Sequence, residues 1–436
     1  MLVLACAVSA HATQQPTPGA MKISDLVTEA LAQAPEPREY RYAFLAGVTR
    51  LEPERPTASP SLRADLRGGI QTPSLHFPRP DEAPATVLSS DASSFSLTYR
   101  QPVYRAGLRP AAARYRADEM VLQLEYRQAL LDFAWSVRSA CIGRLEADDA
   151  LAVAEDSLEG AKRYEKLVHG QIAAGAARPI DAQTAAAQTA EARSALESAR
   201  SAALLARLNL NRLLGRPISS ASRILPPQPV GAPPSEPDDA IKMGESSSTE
   251  LAILNCEITA ARAGESLAHL QAAPALDFEA RVVEQAPTAL APENYAAAFL
   301  ELSAPLLGGS AARSDAKAAR EEAGRLAAAR DAALAGVAVD ITSAWRRYVE
   351  AWAQQDLAKR RQSAADAELK LDEAAYAIGR SSAVDVESAR REARRAAMQT
   401  VQARWQVVRA NWDLAYHEGA ASAAIDRLAP ADAPGR

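Results

Sequence analysis

Gly175-Ala176-Ala177-Arg178-Pro179-Ile180-Asp181 and Gly379-Arg380-Ser381-Ser382-Ala383-Val384-Asp385 are one motif written twice, 204 residues apart. Each copy opens on glycine, reaches aspartate six steps later, and places a β-branched residue just before it. The glycine suits a helix C-terminus that closes in the left-handed region. The aspartate suits the first turn of a following helix, where a carboxylate meets free N–H groups. Each copy therefore predicts a tight helix–turn–helix tip.

The helices leaving these turns extend the duplication. After the second tip, Val386, Ala389, Ala393, Ala396, Thr400, Ala403, Val407, Ala410 and Leu414 follow alternating steps of three and four. The positions 204 residues earlier hold Ala182, Ala185, Thr189, Ala192, Leu196, Ala199, Ala203, Ala206 and Leu210. A 3.5-residue seam wants a coiled-coil partner, and small residues along it let backbones approach closely. Upstream of the tips lie proline-free helical stretches over about 111–172 and 312–376, each on the order of 90–100 Å long at 1.5 Å per residue. Shorter helices are expected over 23–50 and 248–272.

Between the short and long helices the period changes from 3.5 to 2. Leu62, Ala64 and Leu66 alternate with Arg63, Asp65 and Arg67; Phe95, Leu97 and Tyr99 alternate with Ser94, Ser96, Thr98 and Arg100. Leu276, Phe278, Ala280 and Val282 alternate with Asp277, Glu279 and Arg281. This is the pattern of strands with lipid on one side and a wet lumen on the other. The expected strands are 61–70, 94–102, 275–284 and 296–304; the faces of the fourth are ambiguous, because Leu300 and Leu302 alternate with Phe299, Glu301 and Ser303. Half-buried strands of a small soluble sheet are the alternative. Pro-rich residues 72–90 and 286–294 read as exposed loops joining the strands in pairs. The organisation is a first repeat over 13–215, a connector over 216–247, a second repeat over 248–419 and a tail over 420–436.

Composition agrees with this reading and excludes others. The 436 residues carry a net charge of −5, so no basic field favours nucleic acid. Aromatics are only 5%, which suits Ala-rich helices packed at close range better than one large globular core. No run of about 18 apolar residues exists for a membrane-spanning helix, a test that β-strands evade. Residues 1–12 read as the remnant of a signal peptide, with Ala10-His11-Ala12 as a small-x-small cleavage site; acylation of Cys6 is the alternative. Cys141 and Cys256 lie in helical patterns and suggest no disulfide framework. His11, His76, His169, His269 and His417 have no metal-ligand spacing, and Gly308-Gly309 lacks the Lys-Ser/Thr of a phosphate-binding loop. Charge pairs such as Glu321 with Arg325 read as solvated helix-face contacts. No catalytic constellation, metal or cofactor is expected.

The duplicated Gly-to-Asp turns, the strand exits Gln101-Pro102 and Ala304-Pro305-Leu306-Leu307-Gly308-Gly309, and the helix end Leu213-Leu214-Gly215 together resemble the TolC family of outer-membrane factors across nearly the whole chain. The resemblance implies a mainly α fold with a small β part: a long antiparallel coiled-coil α-barrel protomer, plus four strands of a shared transmembrane β-barrel. It implies a homotrimer in outer-membrane lipid, working with a periplasmic adaptor (membrane fusion protein) and an inner-membrane pump. The role is a passive export duct of a tripartite efflux or type I secretion system; the alternative is a periplasmic adaptor or structural coiled-coil protein. Four strands from one chain would leave unpaired edges in lipid, and three chains remove them. By the same resemblance Asp385 falls on a carboxylate ring at the periplasmic entrance and Tyr376 on a tyrosine that holds it closed. Ser388 stands where related channels have a second acidic residue. Gly175, Ala176, Gly379 and Arg380 fall on the surface met by an adaptor. A helix-capping role for Asp385 and ordinary packing for Tyr376 are the alternatives.

Overall fold

The computed structural model describes residues 20–70, 72, 75–79, 82–88, 93–175, 177–221, 223–271, 273–285, 294–304 and 309–419. Residues 1–12, the expected signal remnant with Cys6, and also tip residue Ala176, the strand exit over 305–308, the loop over 286–293 and the tail over 420–436 lie outside the described residues.

The chain opens with α1 (Ile23–Gln33) and α2 (Pro35–Leu51), where the sequence predicted one helix. Ala34 is extended between them, with φ −64° and ψ 152°. Pro35 explains the break, because a proline pushes the preceding residue out of the helical region and itself starts a helix well. β1 (Ser61–Arg67), β2 (Leu75–Arg79), β3 (Glu82–Leu88) and β4 (Ser94–Arg105) follow. The expected loop over 72–90 thus contains a hairpin, β2 with β3. The first long hairpin is α3 (Leu108–Ala173) and α4 (Pro179–Leu213). The expected connector ends in a helix, α5 (Asp238–Ser247), before α6 (Thr249–Leu270). β5 (Ala275–Gln285), β6 (Asn294–Ser303) and a second long hairpin, α7 (Gly309–Ala377) and α8 (Ala383–His417), complete the repeat.

Contacts divide the chain into two compact units: one holds residues up to Ala43, Glu125–Thr249 and Ala333 onward, the other Phe44–Leu124 and Glu250–Ala332. In the first, the coiled-coil seam is observed as the buried face. Val386, Ala389, Ala393, Ala396, Ala403, Val407, Ala410 and Leu414 of α8 are buried, as are Ala185, Thr189, Ala192, Leu196, Ala203 and Leu210 of α4. Its largest cluster joins both repeats: Leu26 and Ala30 of α1, Val137 and Ile142 of α3, Leu210 of α4, and Trp405 and Val408 of α8. The Thr residues on the seams bridge helices, Thr189 donating to Glu165 at 2.7 Å and Thr400 to the Ala358 carbonyl at 3.2 Å.

Gly215 ends α4 with φ +67°, and the Arg216 amide reaches back to the Asn211 carbonyl at 3.0 Å. A Cβ here would stand 3.1 Å from the Ala34 Cα. Strain and crowding act together, so Gly215→Ala is expected to cost about 1–2 kcal/mol or more. Gly175 and Gly379, also at positive φ, have open space around them. Their alanine variants should therefore melt above Gly215→Ala; equal melting temperatures for the three would contradict the packing argument.

The second unit is built on an antiparallel sheet in the order β1-β4-β5-β6, which pairs the strands of the two repeats through β4 and β5. Leu62 faces Tyr99, Ala64 faces Leu97 and Leu66 faces Phe95. Leu97 also faces Val282, and Val282 faces Ala296. The register settles the ambiguous strand: Leu300 pairs with Phe278 and Leu302 with Leu276, so both join the apolar face, while Phe299, Glu301 and Ser303 join the polar one. β1 stops at Arg67, before Gly68, short of the expected residue 70. β4 instead runs on to Arg105, past Pro102, with a register shift that absorbs the residue lacking an N–H.

Candidate functional site: the hairpin tips and the two faces of the sheet

At the second tip, α7 ends with Gly379 at φ +70°. The Gly379 amide donates to the Tyr376 carbonyl at 3.0 Å and the Arg380 amide to Ala375 at 2.8 Å, which satisfies the last carbonyls of α7. α8 then starts with a reciprocal cap. The Asp385 amide donates to Ser382 Oγ at 3.2 Å, and Asp385 Oδ2 accepts from the Ser382 amide at 3.0 Å and hydroxyl at 2.7 Å. The Ser382 hydroxyl, then its backbone amide, hold the Asp385 carboxyl below its ordinary range. Asp385 is nevertheless exposed, so capping leaves its charge available to solvent. Its repeat counterpart differs. Asp181 caps α4 through the Arg178 amide at 3.1 Å, but it is buried. Only the second tip presents its carboxylate.

Tyr376 is buried, its ring 5.6 Å from that of Tyr164, in a cluster with Val168, Ala185, Ala383 and Val386. The cluster draws one or two residues from each of α3, α4, α7 and α8, so it ties the tips together. Gln171 of α3 donates to the Tyr376 and Ala377 carbonyls at 3.2 and 3.1 Å. The Tyr376 hydroxyl is buried without a hydrogen-bond partner among the described residues, and burial raises its pKa. Gly175, Gly379, Arg380 and Ser388 are exposed, and of these Gly379 is tied to Tyr376 through its backbone amide.

One residue here escaped the sequence reading. Arg390 lies in an Arg-rich stretch of α8 that reads as a solvated face, yet its side chain is mostly buried. It donates to the Gly160 carbonyl of α3 at 2.5 Å, pairs with Glu373 of α7, and lies over the Tyr164 ring at 4.6 Å. Its adjacency to seam residue Ala389 is the only sequence signal. Arg390 lines a groove of about 760 Å³ whose walls also carry Asp156, Arg163, Glu191, Asp366 and Lys370. The expected helix-face pair is shifted by one residue, since Arg325 pairs with Glu322 at 2.6 Å rather than with Glu321; other pairs tie separate elements, as Arg216 does with Glu29 at 2.5 Å.

On the sheet, Leu62, Leu66, Val282, Leu300 and Leu302 are all more than half exposed. An apolar face this open has no place against water and matches a strand face turned to lipid. The opposite face carries ion pairs, two of them between β4 and β5, Arg100 with Glu279 at 2.8 Å and Arg105 with Asp277 at 3.6 Å, and one along β5, Arg281 with Glu279 at 2.8 Å. Among the described residues no helix is long and apolar enough to cross a membrane.

A sheet with one lipid-ready and one charged face, joined to two long antiparallel helical hairpins, defines the protomer of a channel that combines a β-barrel with a helical duct. The family model for outer membrane efflux proteins matches residues 29–216 and 241–419, one match for each repeat. The chain belongs to the outer membrane efflux protein family. Solved structures share the fold at low identity. The chain superimposes on CusC with a TM-score of 0.77 at 13% identity, covering 91% of this chain and 92% of that one. The Campylobacter jejuni CmeC outer membrane channel gives 0.76 at 12% identity, covering 99% and 97%. The Vibrio cholerae outer membrane protein VceC gives 0.74 at 15% identity, covering 91% and 96%. No curated protein matches the sequence. The chain is thus a TolC-like outer-membrane efflux channel subunit, not an enzyme, and extends into the periplasm. Channels of this family form trimers.

Proposed function

We propose that the channel is the passive outer duct of a tripartite efflux or type I secretion system, capped on the periplasmic side by the hairpin tips. An adaptor would meet Gly175, Ala176, Gly379 and Arg380, and an inner-membrane pump would supply the energy. The observation that carries the gate assignment is the pairing of exposure with order at Asp385. A carboxylate fixed by Ser382 and open to solvent can form a ring when three copies converge. Such a ring concentrates negative potential at a narrow mouth, favouring cations. Ser388, one turn on, adds no second acidic tier. Tyr376 acts behind this ring by packing against Tyr164, and the charged groove beside Arg390 suits the polar flank of an adaptor hairpin.

The test is selectivity in planar bilayers. Asp385→Asn should weaken the cation preference at neutral pH. The pH dependence has a definite sign. A carboxyl whose folded pKa is depressed contributes order above its unfolded value of about 3.9 and loses it as pH falls through the folded pKa. Cation preference in the parent channel should therefore persist down to about pH 4 and fade only below it. Unchanged reversal potentials in Asp385→Asn would leave the residue a helix cap alone.

A further inference from the structure

The charged face of the sheet is an unfinished chain of ion pairs. Arg281 meets Glu279, Glu279 meets Arg100, and Arg100 reaches towards Glu301 at 3.8 Å. Glu301 lies on β6, one edge of the sheet, with its side chain 56% exposed. β1 is the other edge, where the Arg63 side chain is 78% exposed and touches Asp65 at 2.9 Å. One edge thus ends in an acid and the other in a base. We infer that copies of this chain join β6 to β1 in a single register, which sets Glu301 of one copy opposite Arg63 of the next. The inference rests on the trimeric channel reading and adds the register.

Three constraints select it. Successive strands in the sheet are antiparallel, so β6 is antiparallel to the β1 that follows it. Side-chain alternation then requires Leu62, Ala64 and Leu66 to face even-numbered residues of β6, since a one-residue slip would turn Arg63 into lipid. Finally, β1 has seven residues and β6 spans Asn294–Ser303. Only two registers keep the faces and pair all seven. One sets Arg63 opposite Glu301, Leu62 opposite Leu302 and Leu66 opposite Ala298. The other sets Arg63 opposite Phe299 and leaves Glu301 opposite Ser61. Sliding further the opposite way sets Asp65 against Glu301, two like charges, and leaves two β1 residues without partners. Directly opposed charges stabilise when unlike and repel when alike. Within one copy Glu301 already stands opposite Asp277, so Asp65 would add a third carboxylate there, whereas Arg63 supplies the missing base; the first register therefore wins.

The experiment uses the full chain in outer membranes, with Cys6, Cys141 and Cys256 replaced by serine. Arg63→Cys combined with Glu301→Cys should give covalent trimers under mild oxidation. The two positions in one copy lie on strands three spacings apart and four residues out of line, more than about 14 Å, so a bond within one chain is out of reach. Covalent trimers from Asp65→Cys with Glu301→Cys, and none from the first pair, would overturn the register while leaving the trimer intact. A parent protein that chemical cross-linking shows to be monomeric would instead remove the trimeric reading. Independently, Glu301→Arg should lose the detergent-resistant trimer band and Glu301→Arg with Arg63→Glu should regain it. Failure to regain it, with either single variant still folded, would also overturn the pair.

Discussion

Arg390→Ala is expected to make the closed channel leak. The guanidinium of Arg390 connects α8 to the Gly160 carbonyl of α3 and to Glu373 of α7, and covers the Tyr164 ring. These contacts sit directly behind the cluster that holds Tyr376. Removing the side chain leaves the Glu373 carboxylate and a carbonyl without their donor, at a cost of about 2–3 kcal/mol in the closed tip. Such a change would shift a closed-to-open balance by about 30- to 150-fold. Conductance in planar bilayers should rise, and cells should admit a bulky antibiotic that the outer membrane otherwise excludes. Arg390→Lys keeps the charge but not the planar fork, so it should fall between the two. A double-mutant cycle with Glu373→Ala separates the ion pair from the ring contact. Parent-like conductance in Arg390→Ala would mean that the tip is held by packing alone.

Trp405→Ala should have the largest effect on stability. Trp405 is 1% exposed in the cluster that brings α1, α3, α4 and α8 together. Its indole N–H donates to Asp149 of α3 at 2.9 Å. Truncation leaves a large cavity and removes one of the two hydrogen bonds to Asp149, a loss of about 3–5 kcal/mol. Trp405→Phe retains most of the volume and loses only the indole hydrogen bond, and Asp149 keeps Arg404 at 3.2 Å. That variant should lose about 1–2 kcal/mol. Denaturant midpoints and the temperature at which trimers dissociate in detergent read both effects. Equal losses in the two variants would place the energy in the hydrogen bond, not the packing.

Much of the fold could be read directly because its signals are local and repeated. The glycine and aspartate of each tip specify backbone states, and those states are observed at Gly379 and Asp385. The alanine seam specifies a buried face, and the alternation at Leu62–Leu66 specifies which side of a strand is apolar. Smaller breaks were legible only in part. Pro35 divides the first helix, and the hairpin of β2 with β3 lies in a stretch whose prolines read as loop. The candidate site was legible to a lesser degree, since position 385 follows from the repeat but Arg390 does not.

The sequence by itself determined the two-fold repeat, the long hairpins and their tips, and the two-faced strands, because each is dictated by nearest neighbours and periodicity. Tertiary structure alone decided that the tip carboxylate is buried at Asp181 and exposed at Asp385, that Arg390 turns inward, and that Leu300 rather than Phe299 joins the apolar face. Those outcomes depend on which helix or strand lies alongside, a long-range fact that no local pattern encodes.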